Sequence, residues 1–453
     1  MPSPTATRPA ATLAPAATLS PQEVACGPDG DPNRPSIVGA ELFQLTKPGG
    51  LQAAVAAGVH WVRYGAFDWD RIEPERTDPP TYHWEAVDEA GLARAADLDL
   101  EVIAVVRFAP EWAQGSPGHA CGPIDEKAHG AWVEFLSALV TRYSAPPYSI
   151  RYWELGNEPD IDSTLVGRRN IYGCWGNAED EYYGGGAYAE MLKVAYPAIK
   201  AVDPTAQVLI GGLLLDCDPR DAEACQWGSH KDLPPRFLEG ILVQGGGPYF
   251  DLVSFHAYAH YKDELGQMIN WGWPGAVTSI PEKTAFLREV LQAYGYGDKG
   301  LMNTEAALLC KEPTPDCLET QALYVPRAYA DALAAGLEAQ IYFAVVNEHW
   351  YNTGLVYRDL TPKPAYQALV TASQFLGQAG YLGPLSGYPP GVGGYAFWRC
   401  DEGRHLDLIW SVDGEPLPVD LPSEATVYDR FGVAVPSAGA LQVDYQPLYV
   451  DRP

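Results

Sequence analysis

Two glutamates that close apolar runs are the residues best placed to do chemistry in this chain. Trp153-Glu154-Leu155-Gly156-Asn157-Glu158-Pro159-Asp160 follows a strand-like run over residues 148–152, so Asn157-Glu158 falls where a buried strand breaks into a loop. A second apolar run, opened by Lys299-Gly300, ends in Asn303-Thr304-Glu305. A carboxyl at the end of each of two strands suits glycosidic bond cleavage: one is a protonated acid for the leaving oxygen, the other a carboxylate facing the anomeric carbon. Both roles coexist near neutral pH only if the surroundings push the two pKa values apart. Residue types and spacing alone do not say which glutamate takes which role.

The elements that must position them alternate between strand and helix. Strand patterns occupy residues 36–43, 60–66, 100–107, 150–155, 207–215, 251–258, 299–305 and 340–347. Helical patterns lie between them, as over 282–294, where Phe286, Leu287, Val290, Leu291 and Tyr294 recur at helical spacing. Eight such units predict a (β/α)8 TIM barrel over residues 31–377, an α/β fold whose catalytic residues sit at the C-terminal ends of strands. A doubly wound open sheet is disfavoured because no Gly-x-Gly-x-x-Gly turn follows an early strand. Beyond Gly377 the pattern changes to short strands over 394–400, 405–411, 425–429 and 441–445, with Leu406, Leu408 and Trp410 on one face. This predicts a small β-sandwich over 378–453 that packs against the barrel.

The chain has 453 residues, 47% of them hydrophobic, enough for a large core and more than one domain. It sets 30 Lys and Arg against 58 Asp and Glu, a formal charge of −28. Such acidity argues against nucleic-acid or anionic-lipid partners. No apolar run approaches the roughly 20 residues of a membrane span. Residues 1–30 begin as an Ala-, Pro- and Thr-rich stretch that reads as a tether, consistent with an extracellular or surface-tethered protein whose signal or anchor has been removed. The eight cysteines agree. Cys217 and Cys225 flank a short loop, as do Cys310 and Cys317, and Cys121 and Cys174 also lie in loops. An even count at such spacing favours disulfides and export. Cys26 and Cys400 could join the N-terminal arm to the C-terminal domain. Cys-x-x-Cys spacing is absent, and neither a metal nor another cofactor is expected.

These residues, taken with others, resemble the clan A glycoside hydrolases, most nearly family 39, which includes β-xylosidases, α-L-iduronidases and bacterial exopolysaccharide endo-glycosidases. The likeness covers most of the barrel. Trp61-Val62-Arg63 with Trp69, Ile72-Glu73-Pro74 and Tyr82-His83-Trp84 is similar to the second βα unit of that family. Ala109-Pro110-Glu111-Trp112-Ala113 resembles the end of its third strand, and Thr361-Pro362-Lys363-Pro364-Ala365-Tyr366 the start of its last barrel helix. The resemblance implies that Glu158 is the general acid/base, Glu305 the nucleophile and the mechanism retaining. It implies that Asn157 binds the sugar 2-hydroxyl, that His256 and Tyr258 contact the site, and that Trp350 floors the subsite of the reacting sugar. Arg63, ending strand 2, would pair with Glu305 and hold its pKa down.

Glu348 and Asn347 are further candidates for hydroxyl binding, and Trp112, Trp175, Trp271 and Trp273 for subsites on the upper rim. Leu155-Gly156 departs from the bulkier Ile/Val-Trp of the xylosidases and opens space beside the acid. The expectation is therefore a retaining glycosidase acting on a carbohydrate substrate, a β-xyloside or related β-glycan, without an obligate protein partner. Uronic-acid, arabinose or exopolysaccharide specificity and a silent carbohydrate-binding barrel are the alternatives.

Overall fold

Apolar strands of three to ten residues, each too short to bury itself, pair side by side until the sheet meets its own edge. The computed structural model describes residues 26, 35–164, 172–221, 223–227, 236–422, 424–436 and 440–453; apart from Cys26, the tether lies outside them. The barrel strands are β1 (Val38–Glu41), β2 (Trp61–Asp68), β3 (Glu101–Arg107), β4 (Tyr152–Asn157), β5 (Gln207–Leu213) and β6 (Leu252–Tyr261). After the short β7 (Met268–Ile269), which pairs antiparallel with the upper end of β6, come β8 (Gly300–Leu309) and β9 (Gln340–Tyr342). Pairing runs β1 through β5 in sequence, then β5 to β6, β6 to β8, β8 to β9 and β9 back to β1, all parallel, which closes the barrel.

A helix follows each barrel strand: α1 (Gly50–Ala56), α2 (Glu89–Asp97), α3 (His129–Tyr143), α4 (Gly185–Val202), α5 (Phe237–Val243), α6 (Ile280–Ala293), α7 (Pro315–Ala334) and α8 (Pro364–Leu376). In α3, Trp132, Phe135, Leu136, Leu139 and Tyr143 recur at three- and four-residue steps and are buried. Asp88 caps α2 by accepting from the Gly91 amide, and Thr314 caps α7 by accepting from Cys317.

Inside the barrel, the lower end is filled by Trp61, Ile103, Leu209, Leu252, Met302 and Ile341. One layer higher the filling turns polar. Arg63, Glu154, Ser254 and Thr304, all buried, come from β2, β4, β6 and β8, the last two being neighbours in the barrel.

The eight expected strands are all present, with shifted ends. β6 and β8 run on past the barrel rim, paired from His256↔Glu305 to His260↔Leu309 after a register shift at Phe255/His256. Glu305 therefore lies within its strand rather than at its end. The last barrel strand is shorter than expected because Phe343 onward leaves the sheet.

The C-terminal strands are β10 (Ala379–Pro384), β11 (Val392–Arg399), β12 (Arg404–Ser411), β13 (Leu417–Val419), β14 (Thr426–Tyr428), β15 (Leu441–Val443) and β16 (Leu448–Arg452). They form an antiparallel sheet in the order β10-β11-β12-β16-β14 and a second sheet of β13 and β15. One face of the larger sheet presents Phe397, Leu406, Leu408 and Tyr449 to the barrel core, where the Tyr449 ring stacks on Phe375 of α8. The other presents Ile409, Val427 and Val450 to Val419, Leu441 and Val443 of the smaller sheet.

β10, β13 and β16 were not expected. The first two are interrupted by Gly or Pro. In β16, Asp451 and Arg452 look like a polar terminus until Arg399 and Arg404 are seen to neutralise Asp451, and Asp407 to pair with Arg452.

All eight cysteines pair, as Cys26–Cys400, Cys121–Cys174, Cys217–Cys225 and Cys310–Cys317.

A buried carboxyl fastens the sheet to the barrel. Asp331 of α7 accepts from Tyr395 of β11 at 2.7 Å and from Thr278. Burial pushes its pKa up to about 6, against those two hydrogen bonds. A folded pKa above the unfolded one gives stability that is present below the unfolded value and lost as pH rises through about 6. Urea unfolding should therefore show Asp331→Asn gaining on wild type by up to about 3 kcal/mol between pH 4 and pH 7.

Candidate active site

The polar layer of the barrel opens upward into a cleft of about 840 Å³ at the C-terminal mouth, within the size range of ligand pockets. Arg63, Asn157, Glu158, Tyr258, Glu305 and Trp350 line it. His256 lies beneath, fully buried and in contact with both glutamates.

Arg63 is the hub. Its Nε donates to Glu154 Oε2 at 2.6 Å, Nη1 to Glu41 Oε2 at 3.0 Å and also to Glu305 Oε1, and Nη2 to Asn157 Oδ1 at 2.5 Å. Burial alone would lower its pKa, but Glu154, Glu41 and Glu305 raise it well above the ordinary value. Glu154 is held from its other side by Ser254 Oγ at 2.8 Å and by Thr304 Oγ1 at 3.0 Å. Burial raises the Glu41 pKa to about 8 despite Arg63.

Glu305 receives Arg63 on Oε1 and the Tyr258 hydroxyl on Oε2. Burial raises its pKa, and these two donors hold it down without reversing the direction. The expected net depression by Arg63 is thus not what the structure shows, because desolvation of a nearly enclosed carboxylate outweighs one shared cation. Tyr258 is pushed well above its usual range, first by burial and then by Glu305.

Among the described residues, no Lys or Arg forms an ion pair with Glu158. Its Oε1 stands 2.8 Å from His256 Nδ1, and Oε2 has no partner among the described residues. Burial raises its pKa well above the ordinary value, and repulsion from Glu305 and Asp160 adds to that. His256 is held well below its ordinary pKa, mainly by burial and then by Arg63 and Lys283, and is neutral. Nδ1 also lies 3.5 Å from Glu305 Oε2. One ligand atom from each of Glu158, His256 and Glu305 falls within 4.8 Å of the others, so these three could also close on a metal ion.

The backbone builds this convergence locally. Gly156 at φ 100° and Glu158 at φ 46° both lie in the left-handed region, which glycine enters freely and glutamate at a cost of about 1 kcal/mol. Together they turn β4 outward and aim Glu158 back into the mouth. A Cβ on Gly156 would meet no atom within 4 Å, so the space beside the acid is open. On β5, a Cβ on Gly212 would stand 2.2 Å from His256 Nε2, so only glycine leaves room for the imidazole.

Seven of the expected site residues converge: Glu158, Glu305, Asn157, Arg63, His256, Tyr258 and Trp350. Trp350 packs edge-on to Tyr258 and Phe343, with ring centroids 5.0 and 5.2 Å away. Two of the expected residues do not enter the cleft. Trp112 is turned back by a 3-10 turn onto Trp69, with Nε1 donating to the Glu73 carbonyl at 3.3 Å. Glu348 accepts from the Arg358 amide and lines a neighbouring hollow. Asn347 spends its amide on the turn that carries Trp350. Of the rim tryptophans, Trp175 and Trp273 are buried, while Trp271 is exposed on the cleft.

Four residues were missed. Glu41 and Glu154 are charges inside apolar strands, which was the available signal. Lys283 sits on the core face of α6, three residues after Ile280 and four before Leu287, and donates to the carbonyls of His256 and Leu214 at 2.6 and 2.8 Å. Burial lowers its pKa to about 8. Tyr172, in the loop after β4, gave no such signal.

The fold is one shared with solved glycoside hydrolases, the likeness that the sequence resemblance implied. The chain is similar to a family 39 glycoside hydrolase from Bacteroides cellulosilyticus WH2, with 19% identity, a TM-score of 0.70 and coverage of 93% of this chain and 82% of that one. It is also similar to a family 39 β-xylosidase from Caulobacter crescentus, at 16% identity and TM-score 0.59, covering 93% and 96%. A family 30 endoxylanase from Clostridium papyrosolvens C71 matches at 12% identity and TM-score 0.59, covering 93% and 97%. No protein-family model and no curated protein matches the chain.

Arg63→Met would leave Glu154 and Glu41 buried without their cation. It should cost about 3–5 kcal/mol in urea unfolding at pH 7. A loss below about 1 kcal/mol would mean that the surrounding carboxyls are held neutral rather than paired.

Proposed function

We propose that this protein is a retaining glycosidase that cleaves a β-glycan, a β-xyloside or a related polymer, by double displacement. One observation carries the reading: two carboxyls with oxygens within 4.8 Å, one with no Lys or Arg ion pair and with an unpartnered oxygen among the described residues, the other bound by Arg63 and Tyr258. That separation fits the roughly 5–5.5 Å of retaining enzymes rather than the 6.5–9.5 Å that leaves room for an inverting water. The environments also suggest the division of roles. Glu158, raised by burial and by Glu305 with only a neutral imidazole beside it, holds the proton. Glu305, with a guanidinium and a phenol on its oxygens, holds the negative charge.

In the first step a Glu305 oxygen attacks the anomeric carbon, the bond from that carbon to the leaving oxygen breaks, and the Glu158 proton passes to that oxygen. The Nδ1–H tautomer of His256 supports this by donating to Glu158 Oε1, which leaves the proton on Oε2. In the second step Glu158, now ionised, takes a proton from water. The water oxygen bonds to the anomeric carbon, and Glu305 leaves with its charge restored. Tyr258 and Arg63 stabilise that returning charge. Asn157, oriented by Arg63 Nη2, is proposed to bind the sugar 2-hydroxyl and Trp350 to floor the subsite. A β-xylosidase and an endoxylanase among the similar structures favour a xylan-type substrate. Four disulfides favour a protein made for an oxidising compartment, and no described helix is long and apolar enough to cross a membrane.

Both carboxyls are raised, so the profile of kcat/KM should be bell-shaped and shifted upward from that of an ordinary carboxylate pair. Activity falls at low pH as Glu305 is protonated and at high pH as Glu158 ionises. Glu158→Ala should lose about 10²- to 10⁴-fold on oligosaccharides yet keep the glycosylation step on dinitrophenyl glycosides, which need no acid. Azide should rescue Glu305→Ala with inverted product and Glu158→Ala with retained product. Full hydrolysis of oligosaccharides by Glu305→Ala would refute the reading, and tight glycan binding without turnover would point to a binding protein.

A further inference from the structure

The cleft is flanked by aromatic rings that the fold leaves in solvent. Phe43, in the loop after β1, is 49% exposed, and Trp271, in the loop after β7, is 56% exposed. Large aromatic faces left in water at a polar cleft mark binding surfaces. Neither ring is loose. Phe43 meets Phe343 edge-on at 5.3 Å, and Phe343 is itself packed on Trp350. Trp271 lies against His260 at 4.7 Å. Its neighbours in sequence are tied down: Asn270 donates to the Tyr258 carbonyl, Gly272 accepts from the Asp218 amide, and Trp273 Nε1 donates to Leu215.

The order of strands decides what these two platforms span. Around the mouth the barrel reads β1, β2, β3, β4, β5, β6, β8, β9. Phe43 stands over β1 and Trp271 over the β6 end, where β7 attaches. One arc between them contains β4 with Glu158, and the other contains β8 with Glu305. The strands that carry the two carboxyls therefore lie on opposite sides of a line from Phe43 to Trp271, as a glycosidic bond attacked from one side and protonated from the other requires. Room continues beyond Phe43. A second hollow of about 380 Å³ shares Phe43 and Asn347 with the cleft and is bordered by Lys47 and Val345.

We infer that the cleft binds a polysaccharide chain across both sides of the scissile bond, with sugars stacked on Phe43 and Trp271, and that the enzyme cuts internal bonds. This rests on the glycosidase reading and extends it from reaction to substrate form: a chain rather than a terminal residue. Phe43 and Trp271 act as specificity-determining residues at opposite ends of the bound segment.

The test uses the full protein and end-labelled β-linked trimers to hexamers of xylose, glucose and mannose. For the sugar that is turned over, hexamer should exceed trimer in kcat/KM by at least about tenfold, with the label found in fragments of intermediate length. Phe43→Ala and Trp271→Ala should each lower hexamer kcat/KM roughly 2- to 12-fold, as expected for one aromatic stack. They should also shift the preferred bond in opposite directions along the chain. Release of single sugars from one end at a rate independent of length would overturn the inference while leaving the glycosidase reading intact. If wild type turns over none of the set, the glycosidase reading is what has failed for these sugars, and calorimetric binding of the same oligomers decides the inference. Affinity rising with length and lost in both variants upholds chain binding, and affinity independent of length or unchanged in the variants overturns it.

Discussion

A single guanidinium, buried where a barrel of this kind usually holds Val, Ile or Leu, sets the terms for the rest of the mouth. Arg63 touches Glu41, Glu154, Glu305 and Asn157, residues from β1, β8 and both middle and end of β4. Removing a cation from water costs several kcal/mol unless its surroundings compensate, and removing one of its carboxylate partners would leave the opposite charge stranded. The arrangement is therefore mutually dependent. Glu154, fixed by Ser254 and Thr304, anchors the guanidinium from below; the guanidinium then orients Glu305 and Asn157 above. The polar layer behaves as a pedestal for the chemistry rather than as a source of net stability.

The same bond network gives the two glutamates different characters although both are deeply buried. Glu305 shares Arg63 and takes the Tyr258 hydroxyl, so part of its desolvation is offset. Glu158 has neutral His256 on Oε1 and the repulsion of Glu305 and Asp160, and the attraction of Arg63 and Lys283 does not reverse the direction set by burial. An asymmetry of this kind allows one carboxyl to keep its proton while its neighbour a few ångströms away gives one up. It cannot be read from two short motifs that each show a Glu after an apolar run.

Much else was legible. The eight barrel strands stand out because each is an apolar run bounded by turn residues, and Asn157-Glu158 because a carboxyl beside such a run is costly unless used. Strand ends were harder to read, since β6 and β8 continue pairing beyond the barrel where no change of composition marks the rim. Glu41, Glu154 and Lys283 were hard to read for another reason. Each is tolerated in the core only because a partner distant in sequence neutralises or hydrogen-bonds it, and a linear reading does not contain that partner. Trp112 and Glu348 erred in the opposite sense: they flank the site in sequence, but a 3-10 turn and a backbone amide take them elsewhere.

Three of the disulfides lie among the loops above the barrel mouth. Cys121–Cys174 joins the loops after β3 and β4, Cys217–Cys225 closes one after β5, and Cys310–Cys317 binds the top of β8 to the start of α7. The fourth, Cys26–Cys400, spans 374 residues and encloses the barrel within one covalent ring. A protease that cuts a surface loop once inside that ring separates no fragment. The halves stay tethered through sulfur, and the strands on either side of the nick remain at high effective concentration for re-pairing. While that disulfide stays oxidised, a single cut thus becomes a repairable break in the backbone instead of a loss of the barrel.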